Sequence, residues 1–192
     1  MSHTAILAAI RSRRSVYPTS FSEREIERAA VETLLEAARY APNHKHTEPW
    51  RFRVFLSETS RADLAEFWAS HYKATTPPAQ FSEAKYERFR TNPRLAGCAV
   101  AVSVQYSNRL PEVEEVCATA CAVQNLLLAA GALGIGGYWS TGGPTFAAEN
   151  ATYLGLANNE HCLGYIFLGY IAEGFTPLDV PRKAIEEVTM WR

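Results

Sequence analysis

Three arginines, Arg11, Arg13 and Arg14, crowd four successive positions near the start of the chain, with Ser12 and Ser15 beside them, and no acidic residue precedes Glu23. The 192-residue chain carries a net charge of only -1. The cluster is therefore a local excess of donors, which suits a specific anion better than a general basic surface. A guanidinium offers a planar fork of N–H groups that matches a phosphate, and each charge-assisted hydrogen bond contributes roughly 1.5–3 kcal/mol. Two other readings use the same residues. Arginines at a helix end complement its negative pole, and an arginine-rich, acid-free start resembles a mitochondrial transit peptide.

Two further stretches offer chemistry. Pro42 and Pro49 bound a donor-rich loop, Asn43-His44-Lys45-His46-Thr47-Glu48, and Gly136-Gly137 and Gly142-Gly143 flank Tyr138-Trp139-Ser140-Thr141. The glycines do not form a dinucleotide fingerprint, because they follow a predicted helix, whereas GxGxxG must follow a strand and open a helix. A main chain with few side chains can instead lie close to a flat ligand and offer it N–H donors. Nothing here supports nucleophilic catalysis: no serine sits in a GxSxG elbow, and no cysteine has a histidine base nearby in sequence. The four cysteines, Cys98, Cys117, Cys121 and Cys162, form no CxxC pair and fall in apolar segments, the pattern of buried free thiols, so no metal and no disulfide are assigned. With so little side-chain chemistry available, an enzymatic reaction would be carried by a cofactor.

These residues need positioning elements. Ile6, Leu7 and Ile10 predict a helix over 4–13, and Ser22 with Glu25 predicts a capped helix running from there to Pro42. Alternation over 50–56 predicts a half-exposed strand, and 97–106 and 162–171 predict buried strands. Polar helices are expected at 60–73 and 79–91, the second within a stretch (74–94) that reads as a lid, a dimer arm or a solvated excursion. A long helix from Pro111 to Leu133 follows, then a glycine-rich turn leading into 137–144, a short helix near 146–154 and an open tail from Glu173. Hydrophobic residues make up 47% of the chain and charged residues 20%, ordinary for one globular domain spanning 1–192. The near-neutral balance gives no reason to expect nucleic acid or a membrane as partner. Without a secretory signal or a run of ~20 apolar residues, the expected location is cytoplasmic.

Taken in order, Arg13-Arg14-Ser15, the Ala41-Pro42-Asn43-His44-Lys45 to Pro49-Trp50-Arg51-Phe52 segment and Gly136-Gly137-Tyr138-Trp139-Ser140-Thr141-Gly142 resemble the nitroreductase family, closest to its short bacterial branch. The resemblance runs from about residue 5 to the C-terminus and removes the transit-peptide reading. It implies an α+β, three-layer fold with a mostly antiparallel central sheet flanked by helices. It also implies a homodimer with an FMN site at each interface. Arg13 and Ser15, with Arg14 nearby, would bind the FMN phosphate and ribityl chain, and Arg182 would be a second phosphate ligand. His44 would contact flavin from the second subunit. Trp139, Ser140 and Thr141 would lie against the isoalloxazine ring, with the backbone N–H of Thr141 or Gly142 donating to N5. Tyr40 and Ser140 stand where the branch carries arginines near the cofactor, and Val180 where many relatives have a lysine.

The implied activity is transfer of hydride from NAD(P)H through FMN to electron-poor acceptors, nitroaromatics or quinones, by a ping-pong scheme. Two alternatives keep the flavin: another substrate (enone reduction, dehalogenation or flavin cleavage), or a flavin-binding and buffering protein without efficient turnover.

Overall fold

The computed structural model describes residues 3–178 and 180–192. Its frame is an antiparallel sheet of β1 (Trp50–Phe55), β2 (Cys98–Gln105), β3 (Ile135–Ser140) and β4 (Glu160–Tyr170), ordered β1-β2-β4-β3. The central strand β2 reads Cys-Ala-Val-Ala-Val-Ser-Val-Gln and is buried on both faces. Because side chains alternate along a strand, Cys98, Val100 and Val102 share one face. There they join a core with α2 (Arg28–Arg39) and α5 (Glu112–Ala132). Ala99 and Ala101 occupy the other face. Their small side chains leave room for Trp68, which meets Tyr165 and Phe167 edge-on at 4.9 and 5.6 Å. Trp68 belongs to α3 (Glu58–Thr75), which packs with α4 (Glu83–Leu95) over that face. The result is the expected α+β sandwich of helices, sheet and helices.

Several boundaries differ from expectation for identifiable reasons. The polar helices begin at Glu58 and Glu83, where Ser57 and Ser82 cap them by accepting the amides of Ser60 and Lys85. The helix predicted from Ser22 starts only at Arg28, and Ile26 lies buried in the extended segment before it. Ile26 packs so closely on Gly97 that a Cβ there would sit 2.9 Å from its Cγ1; burial of this side chain overrides the capping pattern. The glycine-rich turn is largely a strand, β3, in which Gly136 and Gly137 pair with Gly169 and Leu168 of β4. A Cβ at Gly136 would meet Val16 at 2.9 Å, and one at Gly137 would meet Leu127 at 2.6 Å. These glycines admit neighbouring protein, not a flat ligand.

By length and composition α5 matches a bilayer-spanning helix, but Ala118, Ala122, Val123, Leu126 and Ala130 face the core. Its opposite side carries Cys117 and Cys121, so two of the four thiols expected to be buried are exposed. Burial pushes the Cys98 thiol up to about 12 and raises that of Cys162, leaving both inert. α1 (His3–Ser12) leaves Ile6, Leu7 and Ile10 half exposed. After α6 (Ala148–Leu154) and β4, the tail runs along the surface with one helical turn, α7 (Ile185–Val188).

Candidate functional site

β3 is an edge strand, and residues marked for chemistry lie at both of its ends. At its start, α1 stops at Ser12. Arg14 Nη1 donates to the carbonyls of Arg11 (2.6 Å) and Arg13 (3.0 Å), closing the helix C-terminus. Ser15 then bridges to Gly137 in parallel, and the Val16 amide donates to the Gly137 carbonyl at 3.0 Å. Arg13 and Arg14 both border a cavity of about 250 Å³ lined also by Ser12, Leu127, Gly136, Gly137 and Pro177. Among the described residues no acceptor reaches the Arg13 guanidinium. Arg14 thus has a structural duty while Arg13 keeps its donors for an anion, and the side chain of Ser15 is exposed beside it.

At the far end the chain leaves β3 through a turn fastened from several sides. Ser140, 7% exposed, accepts the Gly142 amide at 3.3 Å, and Thr145 Oγ1 donates to the Gly142 carbonyl at 2.6 Å. Gly143, at φ 62°, lies on the Trp68 ring, where a Cβ would approach within 2.9 Å; no other residue fits that place. Thr141 and Gly142 remain exposed, and a Cβ at Gly142 would touch nothing closer than 3.5 Å. The exposed backbone at the end of β3 can therefore meet a ligand without steric obstruction. Trp139 points inward, packing on the core beneath α2 and α5, with its Nε1 buried and unpartnered among the described residues.

The proline-bounded loop sits at the opposite edge, leading into β1. Its φ angles are strained: Lys45 (51°), His46 (52°) and Glu48 (42°) all lie in the left-handed region, at about 1–3 kcal/mol each. One hydrogen bond closes the loop on itself and another contact ties it to α5. Asn43 Oδ1 accepts the Glu48 amide at 3.1 Å, and His44 Nδ1 lies 2.6 Å from Glu114 Oε2 in the first turn of α5. Three strand spacings of about 4.8 Å separate the two sheet edges, so within one chain His44 and the 140–143 turn are on opposite sides. Tyr40, 77% exposed, ends α2. Arg182 is on the exposed tail and donates to the Val180 carbonyl at 2.8 Å. Neither lines the Arg13 cavity.

A larger hollow of about 600 Å³ lies between α6 and the start of β4, but its ionisable groups are engaged. Glu160 is paired with Arg53, and His161 meets the Tyr106 ring edge-on at 5.1 Å. The smaller cavity holds the free cation and is the better site.

A family model described as the nitroreductase family matches residues 10–170. The chain belongs to the nitroreductase family. It is similar to YfhC of Bacillus subtilis (strain 168), whose name proposes an NAD(P)H nitroreductase, at 35% identity over 88% of this chain and 85% of that one. The nitroreductase-like family protein of Bacillus cereus superposes with TM-score 0.82 at 25% identity, covering 100% of this chain and 98% of that one. The FMN-bound nitroreductase of Bacteroides fragilis superposes with TM-score 0.77 at 26% identity, over the whole of both chains.

Motif reading marked the Arg13 cluster and the 139–142 turn, which this nitroreductase fold brings to the two ends of β3. It missed Glu114 and the Arg53–Glu160 pair, whose partners are 70 and 107 residues apart. No local spacing signals such contacts.

Proposed function

We propose that this nitroreductase is an FMN-dependent oxidoreductase that uses NAD(P)H to reduce electron-poor acceptors such as nitroaromatics and quinones. The observation that carries the reading is the edge strand β3. An unpaired guanidinium occupies a cavity at one end, and an exposed, rigid glycine turn stands at the other. A phosphorylated flat cofactor needs that pair of features. When bound, FMN would supply the hydride chemistry that these side chains lack. Arg13, with Ser15 beside it, would hold the phosphate. The Ser140-Thr141-Gly142 turn would meet the ring, with the Thr141 N–H as the donor to N5, because the Gly142 N–H is taken by Ser140. A fixed backbone dipole beside a group that gains electrons needs no reorganisation when charge arrives. Arg14 acts by shaping the Arg13 site. Trp139 supports the turn from beneath, and Tyr40, His44 and Arg182 would join the site from a second subunit or with the tail.

A homodimer is part of the same reading. His44 and the turn lie on opposite sheet edges of one chain, so a single flavin would meet both only across an interface. The exposed Ile6, Leu7, Ile10 and Val113 of α1 and α5 offer an apolar surface for it. The named activity of the Bacillus subtilis relative and the FMN of the Bacteroides fragilis structure support the reading. Steady-state assays with NADH and NADPH against a nitroaromatic and quinone panel test it. Parallel double-reciprocal lines with at least one acceptor are expected; FMN-loaded protein that reduces none would overturn it. One observation favours a flavin-buffering protein as the second reading: Ser140 occupies an amide that would otherwise face the ring.

A further inference from the structure

The His44–Glu114 contact is out of proportion to what it contributes as a surface ion pair. Both side chains are well exposed, 55% and 40%, and exposed pairs stabilise folds little. Yet it is the contact by which the strained 44–48 loop, so rich in left-handed non-glycine residues, is tied to α5. A strained loop persists only where its surroundings over-determine it. The contact also selects an atom. A carboxylate only accepts, so Nδ1 must carry the proton it shares with Glu114, and Nε2 is the one ring nitrogen left for anything else.

We propose that Glu114 is a positioning residue that grips His44 through Nδ1, pins the strained loop to the first turn of α5 and presents the Nε2 edge to the cofactor bound in the neighbouring subunit. The inference rests on the flavin reading above and assigns to it a residue that the sequence motifs do not contain. The other charged groups on these two elements' facing ends are Lys45, His46 and Glu48 in the loop and Glu112 and Glu115 in the first turn of α5. Glu115 is buried and accepts the Ser107 amide through both oxygens, at 3.3 and 3.0 Å. It is therefore committed elsewhere. Glu112 shares the first turn of α5 with Glu114 and has the same effect on the helix end, which makes it the natural control.

The test is a double-mutant cycle read by FMN fluorescence titration, with the His44 ring nitrogens followed by NMR in cofactor-free protein. Glu114→Ala should raise the FMN dissociation constant about five- to tenfold, less than a buried charged hydrogen bond would give because the pair is half exposed. It should also abolish the fixed Nδ1–H tautomer. Glu114→Gln keeps an acceptor and should restore most of the affinity. In a His44→Ala background, Glu114→Ala should change nothing further, since a positioning residue acts only through what it positions. Glu112→Ala should leave the titration unchanged. Full FMN affinity in Glu114→Ala, or an equal loss with and without His44, would overturn the proposal while leaving the flavin reading intact. Wild-type protein that binds no FMN would remove the flavin reading itself, and this inference with it.

Discussion

Arg13 and Arg14 are neighbours of identical chemistry with different work, and local hydrogen bonding separates them. Both border the same cavity, but Arg14 closes α1 through two main-chain carbonyls, whereas the Arg13 donors are unspent among the described residues. Arg13→Ala should therefore raise the FMN dissociation constant at least tenfold, the loss of one charge-assisted phosphate contact. Arg14→Ala should act mainly by loosening α1, visible as a lower melting temperature. Fluorescence titration alongside thermal melts separates the two. Equal effects of both substitutions on FMN affinity would refute this division. Ser140 makes a second prediction at this scale. Ser140→Ala releases the Gly142 amide and should destabilise the turn by about 0.5–1.5 kcal/mol. A shifted visible spectrum of bound flavin should accompany it, and an unchanged spectrum would mean that the turn does not touch the ring.

At the scale of elements, the legible part was whatever local pattern controls. Pro111 and the glutamates after it revealed α5, alternation revealed β1, a buried apolar run revealed β2, and the run of donors after α1 marked the cavity beside β3. β3 was hidden because Gly136 and Gly137 lower strand propensity. The strand forms because β4 pairs with it and because Val16 and Leu127 need the space a Cβ would take. Gly169 on β4 is more demanding still, since a Cβ there would fall 2.3 Å from Phe21 Cγ. Gly169→Ala should cost about 1–3 kcal/mol or more through overpacking, measured by urea denaturation. The Arg53–Glu160 pair joins β1 to β4 and was equally invisible in sequence. Burial alone would raise the Glu160 carboxyl, but the Arg53 hydrogen bonds and charge outweigh it and hold the group below its ordinary 4.5. The folded state therefore binds this proton less tightly than the unfolded chain. The stabilisation is present above the ordinary value and is lost as pH falls through the depressed one. Glu160→Gln should remove that part of the acid sensitivity and cost about 2–3 kcal/mol at neutral pH, by leaving Arg53 partly buried without its counter-charge. An unaltered acid limb in the variant would contradict the assignment.

For the whole molecule, the proposed dimer would divide each flavin site between two chains. The arginine cavity and glycine turn share the β3 edge, while the His44 loop stands at the β1 edge, held by Glu114. The exposed apolar residues of α1 and the outward side of α5 are what a monomer would be least expected to leave in water. Sedimentation should accordingly give a dimer, and a stable monomer with full FMN affinity would contradict the shared site. The most direct measurement of the central claim is anaerobic titration of purified protein with FMN, followed by NADH or NADPH. The account predicts one FMN retained per chain and bleaching of its yellow colour by at least one of the nicotinamides. Protein that retains no FMN, or holds it oxidised in the presence of both, would contradict it.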